Sequence, residues 1–254
     1  MTRRILILGG TAEANALAQR LAGRPGLAVV VSLAGRTRAP RLPPGEVRIG
    51  GFGGPQGLEA FLRENAITAV IDATHPFAAR MGLNAFQACQ ACTVPLLRLE
   101  RPAWVAQAGD RWHEVEDWDE AIAALRDSAR RVLLAVGRQE VALFAILERI
   151  WFLIRSVEAP EPLPAFAQAE AMLARGPFSV ADEAALLQDR AIDTVVCKNS
   201  GGDDAKLVAA RQLGLTVVMR RRPRRPETAT VAGIEEALAW ISGSGNHPPP
   251  APGG

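Results

Sequence analysis

Gly9-Gly10-Thr11-Ala12-Glu13 follows the apolar run Ile5 to Leu8 and opens an amphipathic stretch. In such a strand-to-helix turn, backbone N–H groups and the helix dipole can receive a diphosphate. The G-x-G-x-x-G fingerprint is incomplete, because Thr11 and Ala14 stand at its second and third glycines, so the segment also reads as a tight turn capped by Thr11. About 20 residues further on, where an NAD site offers an acid to the ribose, Ser32-Leu-Ala-Gly-Arg36-Thr-Arg38 supplies a hydroxyl and two guanidiniums. Those groups suit the 2′-phosphate of NADP, since arginine grips phosphate with two N–H donors.

Asp72-Ala-Thr74-His75-Pro76-Phe77 and Lys198-Asn199-Ser200-Gly201-Gly202 each follow an apolar run and precede a helical stretch, which puts their polar side chains at the ligand edge of a sheet. The plain alternative is capping, by Asp72 or Thr74 in one loop and Ser200 or Asp203 in the other. His75 reads equally as a structural hydrogen bonder and as a catalytic group, whereas His113, on a polar strand edge, and His247, in the tail, read as inert. Arg98, Arg101, Arg138, Arg155, Arg220, Arg221 and Arg222 fall at or just beyond strand ends, a distribution that a ligand with many carboxylates would explain. The arginines of the 220–225 run, restrained by Pro223 and Pro226, otherwise read as a solvated loop. Cys89-Gln-Ala-Cys92 lies within a helical stretch and lacks a second ligand pair, so both thiols are assigned to the core and no metal site is expected. The chain has no tyrosine, which removes the phenol as a proton donor.

These groups need elements to position them, and the apolar periodicity supplies an alternation of strand and helix. Strands are expected at Ile5–Leu8, Leu27–Ser32, Ala69–Asp72 and Val94–Arg98, with helices at Ala12–Ala22, Gly57–Asn65 and Phe77–Cys92. After a Trp- and acid-rich joint come helix Asp117–Arg126, strand Val132–Val136, helix Gln139–Leu147, strand Phe152–Ser156 and helices Pro164–Ala174 and Asp182–Arg190. Strand Thr194–Lys198, helix Asp203–Leu213, strand Thr216–Arg220 and helix Ile234–Ser242 complete the series. Ala66-Ile-Thr-Ala-Val-Ile-Asp72 matches Ala191-Ile-Asp-Thr-Val-Val-Cys197, and Arg98-Leu-Glu-Arg-Pro102 matches Arg220-Arg-Arg-Pro223, which suggests two related halves. The expected class is α/β, with two Rossmann-like doubly wound parallel-sheet domains and an interdomain cleft. The expected boundaries are 1–103 for a dinucleotide-binding domain, 104–242 for a substrate domain and 243–254 for a Gly/Ser/Pro-rich disordered tail.

With 254 residues, 48% hydrophobic, 22% charged and three cysteines, the chain has the composition of a globular protein of reducing compartments, and the cytoplasm is the expected location. A net charge of +2 excludes a global polycation for nucleic acid or membrane surface. No stretch has the length and apolarity of a membrane span or of a secretory signal.

The ordered set Leu8-Gly-Gly-Thr-Ala-Glu13, Asp72-Ala-Thr-His-Pro-Phe77, Leu97-Arg-Leu-Glu-Arg-Pro102, Val136-Gly-Arg138 and Lys198-Asn-Ser-Gly-Gly202 resembles the precorrin-6A reductase family of cobalamin biosynthesis. Asn15 and the pair Asp203-Asp204 depart from its pattern. The resemblance implies NADPH-dependent reduction of one macrocycle double bond of precorrin-6A, giving dihydro-precorrin-6 (precorrin-6B). It implies a tetrapyrrole as the small-molecule partner; nucleic acid and membrane are not expected as partners, a monomer is the expected state, and transient contact with neighbouring pathway enzymes is allowed. The cofactor residues implied are Gly9, Gly10, Thr11, Ala12, Glu13, Ser32, Arg36, Arg38 and Thr74. For substrate they are His75, Pro76, Phe77, Arg98, Arg101, Arg138, Lys198, Asn199, Ser200 and Gly201. The proton donor stays open among His75, Lys198, Asp72, a substrate carboxyl and water. Two other readings of the same residues are a nucleotide-sugar glycosyltransferase and a non-catalytic NADPH sensor.

Overall fold

A computed structural model describes residues 2–35, 42–158 and 165–243, and in it the apolar runs form two six-stranded, all-parallel sheets in two compact units. One unit comprises Met1–Pro102 together with the segment from Pro223 onward; the other is Ala103–Arg222. The first contains β1 (Arg3–Leu8), α1 (Ala12–Leu21), β2 (Leu27–Leu33), β3 (Glu46–Ile49), α2 (Pro55–Glu64), β4 (Ala69–Asp72), α3 (Ala79–Cys92) and β5 (Leu96–Leu99). The second contains β6 (Arg111–Val115), α4 (Trp118–Ser128), β7 (Arg131–Ala135), a 3-10 helix (Val141–Ile146), β8 (Trp151–Ser156), β9 (Ala169–Leu173), α5 (Val180–Asp189), β10 (Thr194–Lys198), α6 (Ala205–Gln212) and β11 (Thr216–Arg220). The chain then returns to the first unit with β12 (Ala229–Val231) and α7 (Ile234–Ser242).

Continuous apolar strands make sense only if both sheet faces are covered. Ile5 and Ile7 of β1 pack with Leu17 and Leu21 of α1, while Leu6 and Leu8 pack on the other face with Leu58 and Leu62 of α2. The second sheet repeats this, with Val132 and Leu134 on one face and Leu133 beside Leu187 and Leu207 on the other. Each such side chain, once buried, contributes roughly 1.5–3 kcal/mol.

The sheet orders are β12-β5-β4-β1-β2-β3 and β6-β11-β10-β7-β8-β9. If β7 to β11 are superposed in order on β1 to β5, the two orders coincide, and the sixth place is filled by β12 in the first sheet and β6 in the second. Each half of the chain has therefore given its sixth strand to the other half's sheet. The match drawn from sequence recurs in the backbone. Ala66 and Ala191 both take left-handed φ, 48° and 46°, and the next residues bond back alike, Ile67 N–H to Leu62 O and Ile192 N–H to Leu187 O.

Several expectations need correction. The boundary at 104–242 fails because β12 pairs in parallel with β5, which returns the last strand and helix to the first unit. The stretch expected as helix Pro164–Ala174 forms strand β9 in its described part: Ala169-Glu-Ala-Met-Leu173 alternates exposed and half-buried residues against β8, and edge pairing overrides the helical preference of Ala, Glu and Leu. The helix expected at Gln139–Leu147 is only the 3-10 turn Val141–Ile146, strands β3 and β12 have no counterpart in the expected series, and the polar strand edge of His113 is β6. Residues 244–254 of the expected tail lie outside the described residues; Gly243 ends α7 in left-handed conformation, φ 77°.

Candidate active site

In the first sheet Leu8 lies opposite Ser32 on one side and Asp72 on the other, so β1, β2 and β4 deliver their following loops to one carboxyl edge, at the point where strand order reverses. Gly10 turns there with φ +109°, a conformation that L side chains rarely adopt. Thr11 caps α1: its hydroxyl accepts the Ala14 N–H at 3.1 Å and donates to the Ala73 carbonyl at 2.8 Å, tying turn to neighbouring strand. The first N–H groups of α1 have no carbonyl one turn back to bond, so they and the helix dipole are available to an anion. The Glu13 carboxylate, in that first turn, takes Arg101 Nη1 at 3.0 Å, bringing a cofactor candidate and a substrate candidate together. Ser32 is buried, and its carbonyl accepts the Gly9 N–H at 2.8 Å. Arg36 and Arg38 lie outside the described residues.

Asp72 and Arg98 are buried in an ion cluster. Asp72 Oδ1 accepts the Thr74 hydroxyl at 2.6 Å and its N–H at 3.2 Å, while Oδ2 is held by Arg225. Arg225, only 5% exposed, also donates to Glu100 at 2.7 Å. Arg98 Nε lies 3.8 Å from Asp72, and its Nη2 donates to the Pro226 carbonyl at 3.0 Å. Burial, and then the Arg225 charge, lower the pKa of Arg98. The expectation of Arg225 in a solvated loop is thus corrected: two guanidiniums and two carboxylates neutralise one another inside the unit. Thr74, expected at the cofactor, spends its hydroxyl in this cluster. His75 is half-buried and its Nδ1 accepts the Phe77 N–H at 3.2 Å, which leaves Nε2 as the protonated nitrogen of the neutral ring. Pro76 is buried and Phe77 half-buried, with its ring 5.8 Å from that of His75.

In the second unit the carboxyl edge carries a different set. Lys198 Nζ lies 2.5 Å from Glu140 Oε2, and Glu140 also accepts from the Gly137 N–H and the Trp118 indole. Arg138 pairs with Glu158 at 3.4 Å, and Arg155 with Glu183 at 2.6 Å. Asn199, expected at the substrate, is buried and spends its amide on the backbone of Trp104, accepting from its N–H at 2.8 Å and donating to its carbonyl at 3.0 Å. Gly201 is buried with φ +69°, and Ser200 is half-buried, its N–H donating to the Lys198 carbonyl at 2.7 Å. The Lys206 ammonium sits 4.1 Å from the Trp104 ring centre, and burial above all lowers its pKa. Sequence reasoning missed Glu140, Trp118 and Trp104; the shared spacing of Gly10 to Glu13 and Gly137 to Glu140 was the one available signal.

The family described as Precorrin-6x reductase CbiJ/CobK matches residues 4–242. A precorrin-6A reductase of Rhodococcus erythropolis is 50% identical over 94% of this chain and 97% of its own length. That of Mycobacterium tuberculosis is 45% identical over 94% and 98%. A cobalt-precorrin-6A reductase of Salmonella typhimurium is 30% identical over 91% and 90%. A solved structure titled CobK precorrin-6A reductase superposes with a TM-score of 0.89 at 46% identity, covering 98% of this chain and 99% of that one.

Proposed function

Because the chain belongs to the precorrin-6x reductase family, we propose that it reduces precorrin-6A in cobalamin biosynthesis, with NADPH as reductant and the dihydro macrocycle, precorrin-6B, as product. Family membership sets aside the glycosyltransferase and sensor readings. Identities of 45–50% to precorrin-6A reductases, against 26–30% to the cobalt-precorrin enzymes, support the metal-free substrate.

The observation that carries the cofactor reading is the Gly9–Glu13 turn at the strand-order reversal of the first sheet, with Gly10 at positive φ and Thr11 capping α1. There the N–H groups of Thr11, Ala12 and Glu13 would hold the diphosphate, and Ser32, Arg36 and Arg38 would hold the adenosine 2′-phosphate. When bound, the reduced nicotinamide supplies a hydride to one carbon of a macrocycle C=C bond, and the neighbouring carbon takes a proton. The proton comes from His75, Lys198, a carboxyl of the substrate or water. Asp72 is withdrawn from the role, because its carboxylate is enclosed by Thr74 and Arg225. Arg138, Lys198, Ser200 and Gly201 bind substrate; Arg98 and Asn199 act structurally. The enzyme works as a cytoplasmic monomer.

The test is anaerobic oxidation of NADPH followed by absorbance, with precorrin-6A present or withheld and NADH in parallel. The reading requires one NADPH consumed per macrocycle, a marked preference over NADH, and a matching change in the macrocycle spectrum. NADPH that binds but is never consumed overturns it. His75→Ala and Lys198→Ala then assign the proton: the donor's loss lowers kcat about 10²-fold or more, whereas full turnover in a variant removes that residue.

A further inference from the structure

The two strand-to-helix turns can be laid on each other by sheet register, since Leu8 pairs with Asp72 and Ala135 with Cys197. Gly10 then falls on Gly137, and Glu13 on Glu140. The equivalent glutamates do opposite things. Glu13 pairs with Arg101, away from the turn's backbone. Glu140 folds back into its own turn: Oε2 accepts the Gly137 N–H at 3.0 Å and sits 2.5 Å from Lys198 Nζ. Its Oε1 accepts the Trp118 indole N–H at 3.3 Å and lies 3.7 Å from Arg220 Nη1. A Cβ at Gly137 would stand 2.6 Å from Oε2 and would push the carboxylate back. Three close partners, Gly137 N–H, Trp118 and Lys198, and a second cation, Arg220, thus converge from four separate parts of the unit on one carboxylate.

We propose that Gly137 N–H, Trp118, Lys198 and Arg220 form a carboxylate-binding site whose resident occupant is Glu140, and that a polycarboxylic ligand enters by displacing it. The resident is held intramolecularly, so it competes at an effective concentration in the millimolar range or above. A simple monocarboxylic acid cannot match that. A ligand bearing several carboxylates gains contacts at more than one cation and can. Glu140 therefore acts as a specificity residue, raising the threshold against small cellular acids. The inference rests on the precorrin reading for the identity of its ligand, but the site itself does not.

The probe is tricarballylate, a flexible tricarboxylic acid, titrated calorimetrically into the full chain and into Glu140→Ala, with circular dichroism to verify folding. Removal of the resident is expected to tighten probe binding at least 10-fold, to let acetate bind measurably, and to lose both gains when Lys198→Ala is added. Equal affinity in folded Glu140→Ala and in the unsubstituted chain overturns the proposal. Should Glu140→Ala fail to fold, Glu140→Gln keeps the shape, drops the charge and is read by the same criterion. Reduction that proceeds normally with no gain in probe binding sinks this inference alone, whereas a gain in a protein that never consumes NADPH with precorrin-6A leaves the site standing and sinks the reductase reading.

Discussion

Arg155 and Glu183 bring opposite charges into the second unit, 2.6 Å apart with side chains 8% and 1% exposed, beneath the Phe178 ring. Removing one partner strands a charge that water cannot reach, so Glu183→Ala should lower stability by about 3–5 kcal/mol, read as a lower urea midpoint. Exchanging both for apolar residues of similar volume should restore most of the loss. The cysteines follow the same logic of burial. Desolvation, first of all, pushes the Cys89 thiol up to about 12, and Cys197 is raised as well. At pH 8 a thiol of that kind is ionised to roughly one part in ten thousand. Iodoacetamide should therefore spare Cys89 and Cys197 in the native protein, while all three thiols react in denaturant. Cys89 is the core thiol expected from the helical setting of the Cys89 and Cys92 pair, whereas Cys92 is half-buried at the margin of the same cluster. The inward turn of Arg98 was not legible in the sequence, because its neighbour in the ion cluster, Arg225, stands 153 residues from Asp72 and no local pattern announces it.

α1 begins where it does because Thr11 both caps it and reaches across to β4. Thr11→Ala should cost about 1 kcal/mol for the cap, and more once the bond to the Ala73 carbonyl is counted, measured by the shift of the thermal midpoint. Gly10→Ala meets no atom within 4 Å, so its penalty is conformational, of order 1–3 kcal/mol. It should weaken NADPH binding by more than its loss of stability explains. Elements with continuous apolar runs, such as Ile5–Leu8 and Thr194–Lys198, were readable because burial on both faces leaves a strong signature. β3, β9 and β12 were not: they are short edge strands with a solvated side, where composition is mixed and pairing decides.

The α/β class, the duplication and the first boundary, expected after residue 103 and found at Pro102, could be read from the chain, yet its return to the first unit at Pro223 could not. Strand exchange leaves no mark on hydrophobic periodicity, since a strand's apolar pattern does not say which sheet it joins. The second unit owns all six of its strands in one segment and should fold when expressed alone as residues 103–222, with cooperative thermal unfolding. Residues 1–102 alone should aggregate, because β5 then presents an open edge and Leu97 and Leu99 lose their cover of Leu238 and Ile241. Joining Pro102 to Arg225 through a short Gly/Ser linker should rescue it, given that Arg225 already bonds Glu100. Recovery of monomeric 1–102 with native circular dichroism would contradict this account.

The same exchange reverses the usual order of events on the ribosome. Domains ordinarily close from the N-terminus as they emerge, but here the first sheet cannot be completed until β12 and α7 have been made. At typical elongation rates the delay between β5 and α7 is on the order of ten seconds. The second unit is made within that interval and has its last strand, β11, before β12 and α7 appear, while the earlier one waits with a bare strand edge. The nascent chain is thus a natural client for a holding chaperone, for a reason written entirely into its sheet order.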